Sequence, residues 1–87
     1  MKTIHKFNLD PVGSLTTMAL PLGAKLRHVH MQHDMVCLWF EVDTNKPIKT
    51  RDFTMFGTGH PMPDNVPLEY CGTVHMGSFV FHVYEVL

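Results

Sequence analysis

The sequence lacks most of the features that would place it outside the class of small globular domains. Its 87 residues hold no apolar run near the about 20 residues that a membrane span needs. The start, MKTIHKFNLD, has no apolar stretch typical of a signal peptide. Two cysteines, Cys37 and Cys71, are too few for a disulfide framework, so we expect reduced thiols. These absences predict a cytoplasmic protein that contacts no membrane.

Charge of either sign is also sparse. Seven Lys and Arg residues against eight Asp and Glu residues give a net charge of -1, and no segment gathers enough basic side chains to follow a phosphate backbone. The carboxylates are scattered singly, with no pair spaced for magnesium binding or for acid/base catalysis. The sequence therefore argues against a polymeric nucleic acid as partner, and it favours a binding protein without a cofactor over an enzyme.

What is present is an all-β pattern. Hydrophobic residues make up 45% of the chain, and runs rich in Val, Phe, Thr and Ile alternate with Pro, Gly, Asn and Asp. The pattern predicts one all-β domain over residues 1–87, a small antiparallel sandwich or barrel-like sheet of about seven short strands. The strands are expected at 2–9, 15–20, 25–33, 36–43, 50–57, 68–76 and 78–86. Short hairpins are expected at 33–35 and 76–78.

Two of the runs indicate how the sheet is covered. The fourth run alternates, and we expect its aliphatic side chains in the core: Val36, Leu38, Phe40 and Val42. The last run carries large apolar groups on both faces, with Phe79, Phe81 and Val83 on one and Val80, His82, Tyr84 and Val86 on the other. A chain of 87 residues has little material to cover two faces. We therefore expect a homo-oligomer, a dimer or a tetramer.

A histidine cluster offers one reading of function. His28 and His30 in HVHMQH would project from one face of a strand, with His33 close behind. The spacing resembles the H-x-H of cupin metal sites, although the glutamate that cupins place a few residues later is missing here. A His-rich metal-binding protein is therefore an alternative, as are histidines that are solvent-facing or hydrogen-bonded.

The segment from Arg51 to Pro61 offers a second interpretation of function. Two glycines that flank a threonine can expose consecutive N–H groups, which form an anion-binding nest. The expected phosphate contacts are Arg51, Gly57, Thr58, Gly59 and His60, and the expected base-stacking residues are Trp39 and Tyr70. The plainer alternative is that GTG is a structural turn, with Trp39 and Tyr70 in a core or interface and Arg51 solvated.

Five segments carry a family resemblance: MKTIHKF, CLWFEVD, the RxFxxxGTGHPxP stretch from Arg51 to Pro63, YxGTV from Tyr70 to Val74, and FVFHVYE. Together they resemble a family of small, mostly phage-encoded, uncharacterised proteins. Phage proteins of this small size and all-β character are similar to the anti-CBASS sponges, in particular the fourth family. This resemblance implies a homo-oligomer, such as a tetramer, in the cytoplasm of an infected bacterial host. It also implies capture of a cyclic dinucleotide signal without cleavage.

The leading hypothesis is therefore an immune-evasion protein that sequesters a small nucleotide ligand at a subunit boundary. A different class is a protein–protein interaction module that inhibits a host factor through an exposed strand edge or a methionine-rich patch. The third hypothesis is the cupin-like metal protein.

Overall fold

Seven strands account for most of the chain. In the computed structural model, which describes residues 1–87, they are β1 (Lys2–Asn8), β2 (Thr16–Pro21), β3 (Lys25–Gln32), β4 (Met35–Asp43), β5 (Ile48–Gly57), β6 (Leu68–Met76) and β7 (Phe79–Val86). Each predicted run is a strand, and the ends differ by at most two residues. The largest difference is at β5, which begins at Ile48 because Ile48 and Lys49 still pair with Pro21 and Leu20 of β2.

The strands form two antiparallel sheets. The first has the order β1-β4-β3 and the second has the order β2-β5-β7-β6, which gives a sandwich-like arrangement and confirms the all-β prediction. β3 and β6, at one edge of each sheet, approach each other so closely that a Cβ at Gly72 would lie 3.1 Å from the Val29 side chain. The outer edges of β1 and β2 have no neighbouring strand.

Two tight hairpins connect neighbouring strands, as predicted. His33 and Asp34 link β3 to β4 with φ values of 52° and 62°. Two consecutive positive φ values are what a type I′ turn requires, and this turn suits the twist of a hairpin. Gly77 has a φ of 60° and begins the two-residue connection from β6 to β7. Both hairpins lie at the same end of the sandwich as the end of β5.

The core lies between the sheets. Thirteen buried residues form one cluster, which includes the predicted set of Val36, Leu38, Phe40 and Val42. Phe40 of the first sheet meets Phe53 of the second edge to face, with ring centroids 5.6 Å apart. Each such side chain stabilises the fold by about 1.5–3 kcal/mol relative to an exposed one.

The two faces of β7 are covered unequally. Phe81 and Val83 point into the core and are buried, whereas Phe79, at the end of the same face, is 66% exposed. On the other face Val80, His82, Tyr84 and Val86 are half-buried within the single chain.

The structure has no helix long and apolar enough to cross a membrane.

Candidate functional site

The turn Gly57–His60 follows directly from the end of β5. The His60 N–H donates to the Gly57 carbonyl at 3.0 Å, and Gly59 has a φ of 85°. A positive φ at the third position of a turn is the conformation that a type II turn reserves for glycine. Gly59 is therefore required by the backbone, whereas Gly57 is in close contact with a neighbouring side chain.

That neighbour is the imidazole of His60. A Cβ added at Gly57 would lie 2.7 Å from two atoms of the His60 ring, so a side chain there would require the exposed ring to move. The ring therefore packs directly on the Gly57 backbone and is held at the rim of the turn. The G-T-G-H spacing thus serves a packing purpose that the sequence reading did not identify.

The turn does not form the open anion nest expected from the sequence. The Thr58 N–H donates to the Val80 carbonyl at 3.1 Å, and the His60 N–H is taken by Gly57. Gly59 is left as the residue of the turn whose N–H makes no bond within the chain. Consecutive amides are therefore not available to grip a phosphate, because β7 and the turn itself already occupy them.

A groove opens beside the turn. It has a volume of about 560 Å³ and is lined by Val12, Gly57, Thr58, His60, Ser78, Phe79, Val80 and Phe81. This volume lies within the range of about 300–1,000 Å³ of small-molecule sites. The Phe79 ring stacks on Phe81 with centroids 6.2 Å apart and planes inclined by 22°. The groove thus combines an exposed aromatic face with a hydroxyl and an imidazole.

A second, smaller cavity adjoins the groove. It holds about 300 Å³, shares Val12 and Phe81 with the groove, and is otherwise lined mainly by apolar side chains such as Met35, Met55 and Met76. Neither lining contains a lysine or an arginine. This end of the sandwich is therefore mainly apolar, with polar groups at the turn and at Asp34 and Ser78 of the two hairpins.

A hydrogen-bonded chain crosses the outer face of the four-stranded sheet. His82 Nε2 lies 2.7 Å from the hydroxyl of Thr58, and His82 Nδ1 lies 3.1 Å from the hydroxyl of Thr73. The Tyr70 hydroxyl lies 2.5 Å from that of Thr73. This series of hydrogen bonds joins three of the segments that carry the family resemblance. Thr58 belongs to GTGH, Tyr70 and Thr73 belong to YxGTV, and His82 belongs to FVFHVYE.

Arg51 occupies a different place. Its Nε and Nη2 donate to the Glu85 carboxylate at 2.7 and 2.8 Å, and its Nη1 donates to the Ala24 carbonyl at 2.7 Å. The guanidinium also lies 5.6 Å from the ring centroids of Phe40 and Phe53. The hydrogen bonds that Arg51 donates to Glu85 raise the pKa of Arg51 above its usual range. Each of the three guanidinium nitrogens therefore already donates to an acceptor within the protein.

Arg51 is also far from the turn. Gly57 is six residues further along β5, a distance of about 20 Å at 3.3 Å per residue. The expectation that Arg51 and the GTGH turn form one phosphate site within a chain is therefore corrected: the guanidinium closes the opposite end of the core, beside a separate polar cavity of about 300 Å³ that Tyr70 and Cys71 also line.

The two expected stacking residues lie on opposite faces of the sandwich. Trp39 is on the outer face of the three-stranded sheet, where its ring lies 5.5 Å from that of His28. Tyr70 is on the outer face of the four-stranded sheet, 57% exposed, with its ring 5.5 Å from that of Tyr84. Neither lines the groove beside the turn.

The histidine cluster forms a pair rather than a metal centre. His28 and His30 share the outer face of β3, as expected, with ring centroids 5.5 Å apart. His33 is in the hairpin turn. No group of three or more His, Cys, Asp or Glu side chains is positioned to hold a metal ion, whereas a zinc site needs at least three protein ligands.

Both cysteines are free thiols. Cys37 is buried, and Cys71 lies at the irregularity in β6. Burial raises the pKa of Cys71 to about 11, and the nearby Glu85 carboxylate acts in the same direction. A thiol in this state is a poor nucleophile at neutral pH.

Two groups of residues were missed by sequence reasoning. The alternation of the last run places Phe79 with Phe81 and Val83 on one covered face, but the two-residue hairpin leaves Phe79 at the open end of the sandwich. Thr73 and His82 were not connected, although they pair directly across the same hairpin. Counting residue pairs outward from Gly77-Ser78 would have identified this second contact.

Comparison with known proteins identifies one family. No curated protein and no solved structure matches the chain. A family model matches residues 1–87, which is the whole of the sequence described here. The chain therefore belongs to the family described as domain of unknown function DUF7352.

Proposed function

We propose that the chain is a binding protein that holds a planar heterocyclic ligand of the nucleotide class in the groove beside the Gly57–His60 turn. The observation that carries this proposal is the Phe79 ring, which is 66% exposed and stacked on Phe81 inside the groove. A large aromatic ring left exposed in a concave site is the feature on which a base stacks, and such stacking is worth about 1–3 kcal/mol per base.

Polar contacts to the ligand would come from the turn. The Gly59 N–H has no acceptor within the chain, and the His60 imidazole lines the groove. Thr58 also lines it, but its hydroxyl already bonds to His82 and to the Val80 carbonyl within the chain. These are few donors for a phosphorylated ligand, and no lysine or arginine of the groove neutralises its charge. The base therefore contributes more to binding than the phosphate does.

The ligand that the family resemblance implies is a cyclic dinucleotide, sequestered and released intact. Isothermal titration calorimetry tests whether the nucleotide binds and whether the base contributes most of the binding. One titration uses 3′,3′-cyclic GMP–AMP, and a separate one uses uncharged guanosine. We expect heat with both ligands, because the base supplies most of the contact, and recovery of intact ligand by chromatography. Conversion of the ligand would indicate an enzyme instead.

A pair of variants locates the site. Phe79→Ala should weaken binding at least tenfold, because it removes the stacking ring at an exposed position that contributes little to the core. Tyr70→Ala is the matched control, since Tyr70 is a similarly exposed ring outside the groove. Loss of binding in Tyr70→Ala with unchanged affinity in Phe79→Ala would contradict the proposal. So would a wild-type titration that gives no heat with one of the two ligands up to millimolar concentration.

A second candidate is a protein–protein interaction module at the same end of the sandwich. It is favoured by the continuity between the groove and the adjoining cavity, around which Val12, Met35 and Phe79 are all exposed. A photo-crosslinking residue at position 79, expressed in the host cell, tests it. A single crosslinked protein that is missing when the crosslinker is placed at position 70 would support this candidate over the nucleotide.

A further inference from the structure

The outer face of the four-stranded sheet differs in charge from the other sheet. Its outward residues, identified from the strand register, include no lysine or arginine, and Asp52 is their only carboxylate. The outer face of the three-stranded sheet, by contrast, carries Lys2, Lys6, Glu41 and Asp43. A sheet face that is solvated on its own needs no such depletion of charge, whereas the centre of a protein interface is depleted in charged residues.

Several polar side chains at this face bond to one another. His82 uses both ring nitrogens, toward Thr58 and Thr73, and the Tyr70 hydroxyl bonds to Thr73. Asp52 accepts from the Thr17 hydroxyl at 2.6 Å. Burying polar groups that already have partners costs far less than burying unpaired ones. These side chains can therefore be covered without losing their hydrogen-bond partners.

Aromatic rings occupy the middle of the face. Tyr84 meets Phe56 on one side and Tyr70 on the other, edge to face, with centroid separations of 5.8 and 5.5 Å. Tyr70 is 57% exposed, and Tyr84 and Phe56 are half-buried. Tyrosine and phenylalanine are enriched in the cores of protein interfaces, where they supply much of the contact area.

We infer that this face is covered by the same face of a second copy of the chain, in a two-fold symmetric dimer. A second copy fits because a symmetric contact brings a surface against itself, and a surface nearly free of charge does so without repulsion. Four strands about 4.8 Å apart and about 26 Å long cover about 500 Å² on each copy. The total of about 1,000 Å² is close to the lower limit for a specific interface.

Sedimentation velocity over a concentration series tests the dimer. The mass should rise from that of the 10.0 kDa chain to about twice that value, with a midpoint on the order of micromolar because the interface is small. Tyr70→Lys should weaken association at least tenfold, since it places a charge on the face of both copies. Ile4→Lys is the matched control, because Ile4 is 52% exposed on the outer face of the other sheet.

Circular dichroism establishes that each variant is folded. Should Tyr70→Lys fail to fold, Ala19→Lys replaces it, because Ala19 is an exposed residue of the same face on the edge strand β2. A wild-type protein that remains at the mass of one chain over the whole series would overturn the inference. Equal dissociation of Ile4→Lys and Tyr70→Lys would overturn it as well, since the dimer would then use another surface.

Discussion

The pairing of Arg51 with Glu85 leads to a prediction about stability rather than ligand binding. The two side chains are only 23% and 12% exposed and make two short hydrogen bonds. Removing one partner of a fully buried pair costs about 3–5 kcal/mol, whereas an exposed pair contributes about 0–1 kcal/mol. Arg51→Met retains the apolar stem between Phe40 and Phe53, and we expect it to lower the free energy of unfolding by about 2–3 kcal/mol.

This loss is large relative to the total free energy of unfolding. A chain of this length has a free energy of unfolding of about 4–13 kcal/mol, and each kcal/mol corresponds to about 4–8 °C in Tm. Urea unfolding should therefore show a clear decrease in midpoint for Arg51→Met. Glu85→Leu should behave similarly, because it leaves the guanidinium bonded only to Ala24. The double variant should lose less than the sum of the two, since neither charge is then left without its partner.

A free energy of unfolding for Arg51→Met within about 0.5 kcal/mol of the wild-type value would contradict this prediction, because that is the range of an ordinary surface substitution. The prediction fails more completely if that variant also loses affinity for 3′,3′-cyclic GMP–AMP while remaining folded. Such a result would place Arg51 at the ligand after all. The structure leads us to expect unchanged affinity, measured at a temperature at which the variant is fully folded.

Two further predictions concern Cys71 and Gly72. The raised pKa of Cys71 should keep its alkylation by iodoacetamide slow at pH 7, with the rate increasing up to pH about 11, as measured by mass spectrometry in a Cys37→Ser background. The thiol ionises at a lower pH in the unfolded chain than in the folded one, so the stability that Cys71 contributes is complete below pH about 9 and is lost as the pH rises toward 11. Cys71→Ser should therefore flatten the dependence of the free energy of unfolding on pH between about 9 and 11. Gly72→Ala should cost about 1–3 kcal/mol in urea unfolding, because its Cβ would press on Val29 where β3 meets β6. Val29→Ala should recover part of that loss, and additive losses in the double variant would show that the cost arises elsewhere.

The strands were predictable from the sequence because each has a local cause. Alternation in β4 assigns Leu38 and Phe40 to the core, and the turn residues at 33–34 and 77–78 end the strands beside them. The pairing of Thr73 with His82 was equally accessible, since a two-residue hairpin determines the register of its strands. It was overlooked because His82 was considered only as a member of an apolar face.

The division of strands between sheets was not predictable in this way. It depends on contacts between β1 and β4 and between β2 and β5, which are distant in sequence and have no local signal. Without that division, Trp39 and Tyr70 could be assigned to one site. The structure places Trp39 on one sheet and Tyr70 on the other.

The separation of these residues bears directly on how a ligand can bind. Trp39 and the Gly57–His60 turn belong to different sheets, and the outer faces of a sandwich point away from each other. Trp39 does not line the groove beside the turn, so a ligand that touched both would need a site outside that groove. The inferred dimer does not supply such a site, because it pairs the four-stranded sheets and leaves the Trp39 face uncovered. The groove at Phe79 needs only one chain, and this is why the nucleotide proposal relies on Phe79 and the turn rather than on Trp39, Tyr70 or Arg51.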